Sequence, residues 1–146
     1  MIAGVHVFVV TPNDIPARNE RRLLLHVRGG GYIFGQGEAG LPEAILMAGF
    51  GGYKVISIDY RMPPDYPYPA ALDDAMAVWK ELVKSPDHRS LAIFGTSTGG
   101  ALTLAMMLRA KDEDLPLPAA IAGRRGQISI RLAIHMKRTS GSTTSS

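Results

Sequence analysis

The alternation of short apolar runs with longer helical segments is the sequence feature that most restricts the fold of this chain. Runs rich in β-branched or large apolar residues predict four strands, at residues 5–11, 23–27, 54–60 and 91–94. Helical patterns occupy residues 42–50, 70–84 and 99–111. Because helices separate most of the strands, the strands are predicted to pair in parallel through right-handed crossovers.

The helix predicted at residues 70–84 has the clearest periodicity. Its apolar side chains recur three or four positions apart and form one face: Leu72, Ala75, Met76, Trp79, Leu82 and Val83. We interpret Trp79 as a core residue of this face. The preceding residues 62–69 include four prolines, which predicts an irregular loop.

The predicted fold class is α/β. A mainly parallel sheet is buried on both faces, because its crossover helices cover each side. We therefore expect a triple-layer sandwich with helices on both faces of one sheet. A length of 146 residues corresponds to about one small domain.

The charges of the chain are unevenly distributed. Residues 1–123 contain 11 basic and 13 acidic side chains, whereas residues 124–146 contain five basic side chains and no acidic one. The basicity of the chain therefore belongs to its tail. No basic stripe accompanies the predicted core elements, so nucleic acid is not an expected partner.

Composition also narrows the chemistry and the compartment. The chain has no cysteine, which excludes disulfides and thiolate metal ligands. It has no run of 18 consecutive apolar residues, so no membrane span is expected. The apolar run near the N-terminus lacks a preceding positive charge and a small-residue cleavage site, which argues against a signal peptide. A cytoplasmic location is the default expectation.

The segment Gly95-Thr96-Ser97-Thr98-Gly99 matches the pattern G-x-S-x-G. It follows the predicted strand at 91–94 and opens the predicted helix at 99–111. A nucleophile elbow requires this strand–turn–helix setting, with the serine in a strained backbone conformation at a helix N-terminus. Ser97 is therefore a candidate nucleophile. A serine in an ordinary tight turn is the alternative interpretation.

The segment Arg28-Gly29-Gly30-Gly31-Tyr32 directly follows the predicted strand at 23–27. A run of glycines there exposes backbone N–H groups, at the place that an oxyanion loop occupies relative to the elbow. A flexible surface turn is the alternative. Sites in open α/β sheets form at the carboxyl ends of the strands, so both motifs are predicted to lie at one edge of the sheet.

Three segments resemble the hormone-sensitive-lipase-like esterases, the α/β-hydrolase fold-3 family. Residues 25–35, LHVRGGGYIFG, are similar to its oxyanion segment. Residues 59–71, DYRMPPDYPYPAA, resemble its D-Y-R-x-A-P-E-x-P-F-P-A-A stretch. Residues 95–100, GTSTGG, resemble its G-[DT]-S-A-G-G elbow. The similarity runs in family order over residues 5–122.

This resemblance implies a carboxylic ester hydrolase with a serine nucleophile. Ser97 would accept the acyl group, and the amides of Gly30, Gly31 and Thr98 would form the oxyanion hole. The family needs no metal or organic cofactor, and its substrates are small carboxylic esters, often with short to medium acyl chains. Arg28 stands where the family usually has a histidine. The implied fold is an α/β-hydrolase core truncated at its C-terminal side.

The chain departs further from the family pattern at the catalytic base than at Arg28. The family order is Ser, then Asp or Glu, then His. The one histidine after Ser97 is His135, which lies in a tail without family resemblance. The remaining candidates are interpreted as solvated, structural or surface groups: Asp112, Asp114, His6, His26 and His88. Without a base a serine hydroxyl is a weak nucleophile, so we expect this chain to be inactive or barely active.

Residues 123–146 are predicted to form a disordered or frame-shifted tail after a partial hydrolase core at residues 1–122. Read from the third base of the Gly123 codon, allowed synonymous codons give TPWSDLDKAGDSYETNERLDDVL. This resembles the T-P-W-x-D-L and G-D-S-Y-type segments that fold-3 esterases carry after this strand. A reading-frame shift near Gly123 is therefore our hypothesis. A sheet cut there would have an open edge, which predicts self-association.

Other classes of function stay open at this point. Residues 35–40, GQGEAG, match G-x-G-x-x-G, and Asp59 follows 19 residues after Gly40, as in a dinucleotide-binding fingerprint. That fingerprint has its first glycine at the strand end, whereas residues 28–34 intervene here, which disfavours it. A non-catalytic pseudoenzyme that binds a ligand without turnover is a further alternative, as is a serine peptidase on the same fold.

Overall fold

The computed structural model describes residues 1–125 and 128–132 of the chain. Its helices and strands alternate along most of this length. In these residues the strands are β1 (Val7–Val10), β2 (Leu23–Val27), β3 (Lys54–Ile58), β4 (Leu91–Thr96), β5 (Ala120–Arg125) and β6 (Ile128–Leu132). The α-helices are α1 (Pro42–Gly51), α2 (Ala70–Leu82) and α3 (Thr98–Asp112).

The described strands form one sheet in the order β1-β3-β2-β4-β5-β6. The four central strands are parallel, and β2 lies between β3 and β4 with Leu25 opposite both Ile56 and Ile93. The two outer strands, β1 and β6, pair antiparallel with their neighbours. The predicted α/β class and mainly parallel sheet are therefore confirmed.

Each face of the sheet is covered by helices, as a parallel sheet requires. Alternate side chains of a strand point to opposite faces. Leu24 and Val55 pack with Ala44 and Ala48 of α1 on one face. The larger core cluster, on the other face, packs strand residues against α2 and α3 and includes Leu25, Val27, Ile58, Trp79, Leu102 and Met106. The predicted triple-layer sandwich is confirmed.

Local signals explain where the helices begin and end. Helix α1 begins at Pro42, whose missing N–H costs nothing in the first turn. It is capped by Gly52, which has a φ of 67° and donates its N–H to the Ala48 carbonyl at 2.9 Å. On α2, Trp79 is fully buried and its indole N–H donates to the Pro116 carbonyl at 3.1 Å.

The sequence pattern does not predict β5, because its apolar stretch is short and is interrupted by glycine. Its register is set by pairing with β4, where Ile93 lies opposite Ile121 and Gly95 opposite Gly123. β6 falls within the predicted tail at 123–146, and the domain boundary at 122/123 stays a prediction. Among the described residues, no helix combines the length and apolar character needed to cross a membrane.

The core makes a direct prediction about stability. Ile93 of β4 is buried between neighbouring strands, whereas Leu108 of α3 is 67% exposed. Ile93→Ala is expected to lower the free energy of unfolding by about 2–5 kcal/mol, because it removes buried methylenes and leaves a cavity. Urea denaturation measures this, with Leu108→Ala as the matched control, expected to change stability by less than about 1 kcal/mol. Equal losses in the two variants would contradict the packing described here.

Candidate active site

Ser97 lies in the turn between β4 and α3, with φ of 56° and ψ of −123°. A non-glycine residue in this region of backbone space is strained by about 1–3 kcal/mol. The side chain is exposed at the carboxyl end of the central strand. The strained, exposed serine that the G-x-S-x-G pattern predicts is therefore present, at the N-terminus of a 15-residue helix.

The flanking glycines let this turn press against the end of β2. A Cβ on Gly95 would lie 2.5 Å from the Val27 carbonyl oxygen. A Cβ on Gly99 would overlap the same oxygen and would lie 2.6 Å from the Arg28 carbonyl oxygen. Any side chain at these two positions would therefore push the elbow away from β2.

The triple-glycine turn lies directly against the elbow. A Cβ on Gly29 would lie 2.8 Å from the Thr96 carbonyl oxygen and 3.5 Å from the Ser97 Cβ. The Gly31 N–H donates to Thr98 Oγ1 at 3.1 Å. Gly30 and Gly31 have φ values of 114° and 64°, which glycine adopts without steric cost. The two sequence motifs are thus adjacent in space.

Arg28 holds the triple-glycine turn to the end of β3. Its side chain is 2% exposed, and its guanidinium donates to the Tyr60 carbonyl at 2.8 Å and to the Phe34 carbonyl at 3.2 Å. The guanidinium carbon also lies 4.1 Å from the centre of the Tyr60 ring. Asp59 faces the charge, with 3.6 Å between its Oδ1 and Arg28 Nε. The Arg28 guanidinium therefore joins the loop to the end of β3, because it binds the backbone carbonyls of both Phe34 and Tyr60.

Tyr60 completes this arrangement beneath the loop, a role that the sequence did not reveal. Its hydroxyl donates to the Arg28 carbonyl at 2.8 Å, and its side chain is buried. Burial raises the pKa of the Tyr60 phenol above its ordinary value, and the Arg28 charge and a hydrogen bond with the Thr98 side chain oppose the shift. The D-Y-R stretch was the signal that could have placed this residue at the site.

A second polar chain lies on the α1 side of the sheet, under the elbow. His26, fully buried in β2, contacts Ser57 Oγ through Nδ1 at 2.8 Å and Glu43 Oε2 through Nε2 at 3.1 Å. The other oxygen of Glu43 accepts a hydrogen bond from the Thr96 hydroxyl. This network of polar contacts links α1 to β2, to β3 and to Thr96, the residue that precedes Ser97.

Within residues 1–123, whose side chains the structure describes, no base contacts the Ser97 hydroxyl. The first three histidines contact other groups: His6 with Asp59, His26 with Ser57 and Glu43, and His88 with the Ser85 carbonyl. Asp112 and Asp114 lie at the far end of α3, about 20 Å from Ser97 at the rise of an α-helix. His135 lies outside the described residues.

The glycines at residues 35–40 do not open a helix directly after a strand. They form a turn and a short 3₁₀ segment, Gly37–Gly40, before α1 begins. Asp59 accepts a hydrogen bond from the Gly37 N–H at 3.0 Å and contacts His6 at 3.2 Å. This carboxylate orders the loop, which gives no support to a dinucleotide fingerprint. In the part of the chain that is described, no three His, Asp or Glu side chains converge as metal ligands.

A mainly apolar cavity of about 210 Å³ lies beside the triple-glycine turn. Tyr32 lines it and also donates its hydroxyl to the Thr98 carbonyl at 3.5 Å. The rest of the lining includes Pro63, Tyr66, Leu72, Leu102 and Ala105. Tyr32 therefore connects the lining of the cavity to the residue that follows Ser97.

A strained serine between a parallel strand and a helix, packed against a glycine loop, defines the nucleophile turn of an α/β hydrolase. The chain belongs to the alpha/beta hydrolase fold family, whose profile matches residues 24–139. This confirms the resemblance inferred from the three sequence segments.

Named hydrolases and a solved esterase structure are similar to this chain. An acetyl-hydrolase of Streptomyces hygroscopicus is 35% identical over 72% of this chain, which spans 36% of that protein. An ethyl acetate hydrolase of Pseudomonas putida is 36% identical over 70% of this chain, which spans 34% of that protein. The crystal structure of an esterase, E25, superposes with a TM-score of 0.80 and 39% identity over 83% of this chain and 37% of the other. The chain thus covers about a third of the length of these relatives.

Substitution of a crowded and of an uncrowded glycine by alanine tests the packing of the elbow. Gly99→Ala is expected to lower the free energy of unfolding by about 1–3 kcal/mol or more, because its Cβ overlaps the Val27 carbonyl. Gly49→Ala in α1 is the control, since nothing lies within 4 Å of its Cβ position. It is expected to stabilise by about 0.5–1 kcal/mol, by reducing the entropy of the unfolded chain. Thermal and urea unfolding that shifted in the same direction for both variants would contradict this geometry.

Proposed function

We propose that this chain carries the nucleophile and the oxyanion loop of a carboxylic ester hydrolase. The observation that supports this most directly is the Gly31–Thr98 hydrogen bond, which ties the glycine loop to the elbow. In the proposed site Ser97 Oγ attacks the ester carbonyl carbon. The amides of Gly30, Gly31 and Thr98 then donate to the oxygen that becomes negative.

The reaction has two steps. Ser97 Oγ forms a bond to the acyl carbon and its proton leaves to a base. The tetrahedral intermediate then collapses, the alcohol leaves with a proton, and an acyl-serine ester remains. Water repeats the attack, releasing the acid and restoring the Ser97 hydroxyl. The N-terminus of α3 favours the negative charge that develops in each step.

The proposed substrates are small carboxylic esters. Two relatives are named for acetyl and ethyl acetate hydrolysis, which supports short acyl groups. The cavity of about 210 Å³ beside Tyr32 has an apolar lining suited to a short hydrocarbon group rather than a charged one. The chemistry uses a serine and backbone amides, and we propose no metal or organic cofactor for it.

We also propose that this chain by itself turns over poorly. The described residues place no base on Ser97, and a serine without one is a weak nucleophile. The oxyanion donors and substrate binding alone can still accelerate such reactions. A non-catalytic pseudoenzyme that binds esters without turnover is the second candidate, favoured by this same lack of a described base. Self-association through exposed apolar surface, which includes Phe50 and Leu46 of α1, also stays a proposal.

The frame-shift hypothesis for residues 123–146 belongs with this proposal. Sequencing the encoding DNA tests it, because the shifted reading requires particular synonymous codons from Gly123 onward. Codons that are incompatible with TPWSDL at the start of the shifted frame would contradict it.

The test of the proposed function separates nucleophile geometry from turnover. A fluorophosphonate probe should form an oxygen–phosphorus bond at Ser97 faster than at the exposed Ser85, with fluoride as the leaving group and the serine proton passing to solvent. Peptide mass spectrometry locates the label, and Ser97→Ala should remove it while Ser85→Ala leaves it unchanged. Equal labelling of both serines would contradict the proposed nucleophile.

Turnover is measured separately with p-nitrophenyl acetate at neutral pH. We expect no stoichiometric burst of p-nitrophenol, because the described residues supply no base to accept the Ser97 proton. A burst of one equivalent that disappears in Ser97→Ala would show that a base is present, and would refute the proposed low activity while supporting the ester hydrolase itself.

A further inference from the structure

Thr98 contributes its backbone amide to the proposed oxyanion hole, and its side chain also contacts that hole. Its side-chain oxygen accepts the Gly31 N–H at 3.1 Å. That N–H is one of the three donors in the proposed function, on which this inference rests. One donor of the proposed hole is therefore already engaged by a hydroxyl of the chain itself.

The surroundings of Thr98 hold the hydroxyl in this position. Thr98 is the first residue of α3, and β-branching restricts its side chain to few rotamers. Its carbonyl accepts the Tyr32 hydroxyl at 3.5 Å. Its side chain also interacts with the Tyr60 phenol, which in turn donates to the Arg28 carbonyl at 2.8 Å. The Tyr32 contact holds the Thr98 backbone, and β-branching limits the directions in which the hydroxyl can point from it.

A neutral hydroxyl and a neutral ester carbonyl are comparable acceptors for an amide N–H. An oxyanion is a stronger acceptor, because hydrogen bonds to a charged acceptor are roughly twice as strong. A substrate that displaces the hydroxyl therefore gains little from Gly31 before attack and more after the charge has developed. An interaction that is stronger in the transition state than in the ground state contributes to the rate of the chemical step.

We propose that the Thr98 hydroxyl is an internal competitor for the oxyanion hole, which occupies the Gly31 amide until a negatively charged oxygen displaces it. Thr98 then lowers the affinity of every ligand that needs the Gly31 N–H, because the Gly31–Thr98 hydrogen bond must first be broken. A neutral carbonyl gains little in exchange for that bond, whereas a tetrahedral anion gains enough to displace the hydroxyl.

The experiment uses phenylboronic acid with the full chain. Its boron accepts a lone pair from Ser97 Oγ, an O–B bond forms, the serine proton leaves to solvent, and a tetrahedral borate anion results. Affinity is measured by isothermal titration calorimetry at constant pH. Thr98→Val retains the shape of the side chain but removes the hydroxyl, and should tighten binding about three- to tenfold, the worth of one ordinary hydrogen bond.

Thr98→Ser is the matched control, because it keeps a hydroxyl at the same position and should bind phenylboronic acid like the wild-type chain. Amide hydrogen exchange followed by NMR supplies the second measurement. The Gly31 amide should exchange faster in Thr98→Val than in the wild type or in Thr98→Ser. If Thr98→Val does not fold, Thr98→Ala removes the same hydroxyl with less bulk and takes its place.

The outcomes separate this inference from the proposed function. Equal affinity of the wild-type chain and Ser97→Ala for phenylboronic acid contradicts the proposed function. If binding depends on Ser97 but Thr98→Val neither tightens it nor exposes the Gly31 amide, the competitor role of Thr98 alone is wrong. Tighter binding together with faster Gly31 exchange, both restored in Thr98→Ser, supports the inference.

Discussion

The close approach of the β4–α3 turn to the end of β2 is the contact on which the site depends. The Val27 carbonyl oxygen faces Gly95 and Gly99, and neither position has room for a Cβ. The approach sets the direction in which α3 leaves the sheet and holds Ser97 in its strained conformation. It also brings the chain that follows β2, starting at Arg28, against the elbow. One backbone contact therefore positions both motifs.

Polar side chains on the two faces of the sheet reinforce that contact. On one face Arg28 and Tyr60 fasten the glycine loop through carbonyl oxygens of residues 28, 34 and 60. On the other face His26 and Glu43 connect α1 to Thr96, one residue before the serine. Buried polar groups carry a desolvation cost unless they are hydrogen-bonded, so these partners favour a single arrangement of the strand ends. The long side chain of Arg28 reaches two of these carbonyls at once.

Local pattern was sufficient to predict much of the fold. The strand at 23–27 and the start of α1 at Pro42 were predicted as they occur, because periodicity, proline and glycine act within a few residues. The strained Ser97 was predicted from its motif and has a φ of 56°. By contrast, β5 and the antiparallel position of β1 depend on pairing with strands that are distant in the sequence. The links from Arg28 to Tyr60 and from Gly31 to Thr98 join residues 32 and 67 positions apart, and no local pattern encodes them.

Two kinds of group in a site of this type are held in different ways: the serine and the glycine loop by backbone packing, and the base by whichever loop carries it. Ser97 and the glycine loop are fixed by backbone contacts among β2, β4 and α3, which lie in the packed centre of the molecule. A base has no such requirement, because it need only reach the serine from any neighbouring loop. The strained turn and the adjacent glycine loop can therefore persist where no base contacts the serine, as in residues 1–123. In a chain of this kind, the fold preserves the proposed recognition of a developing oxyanion independently of the ability to generate one.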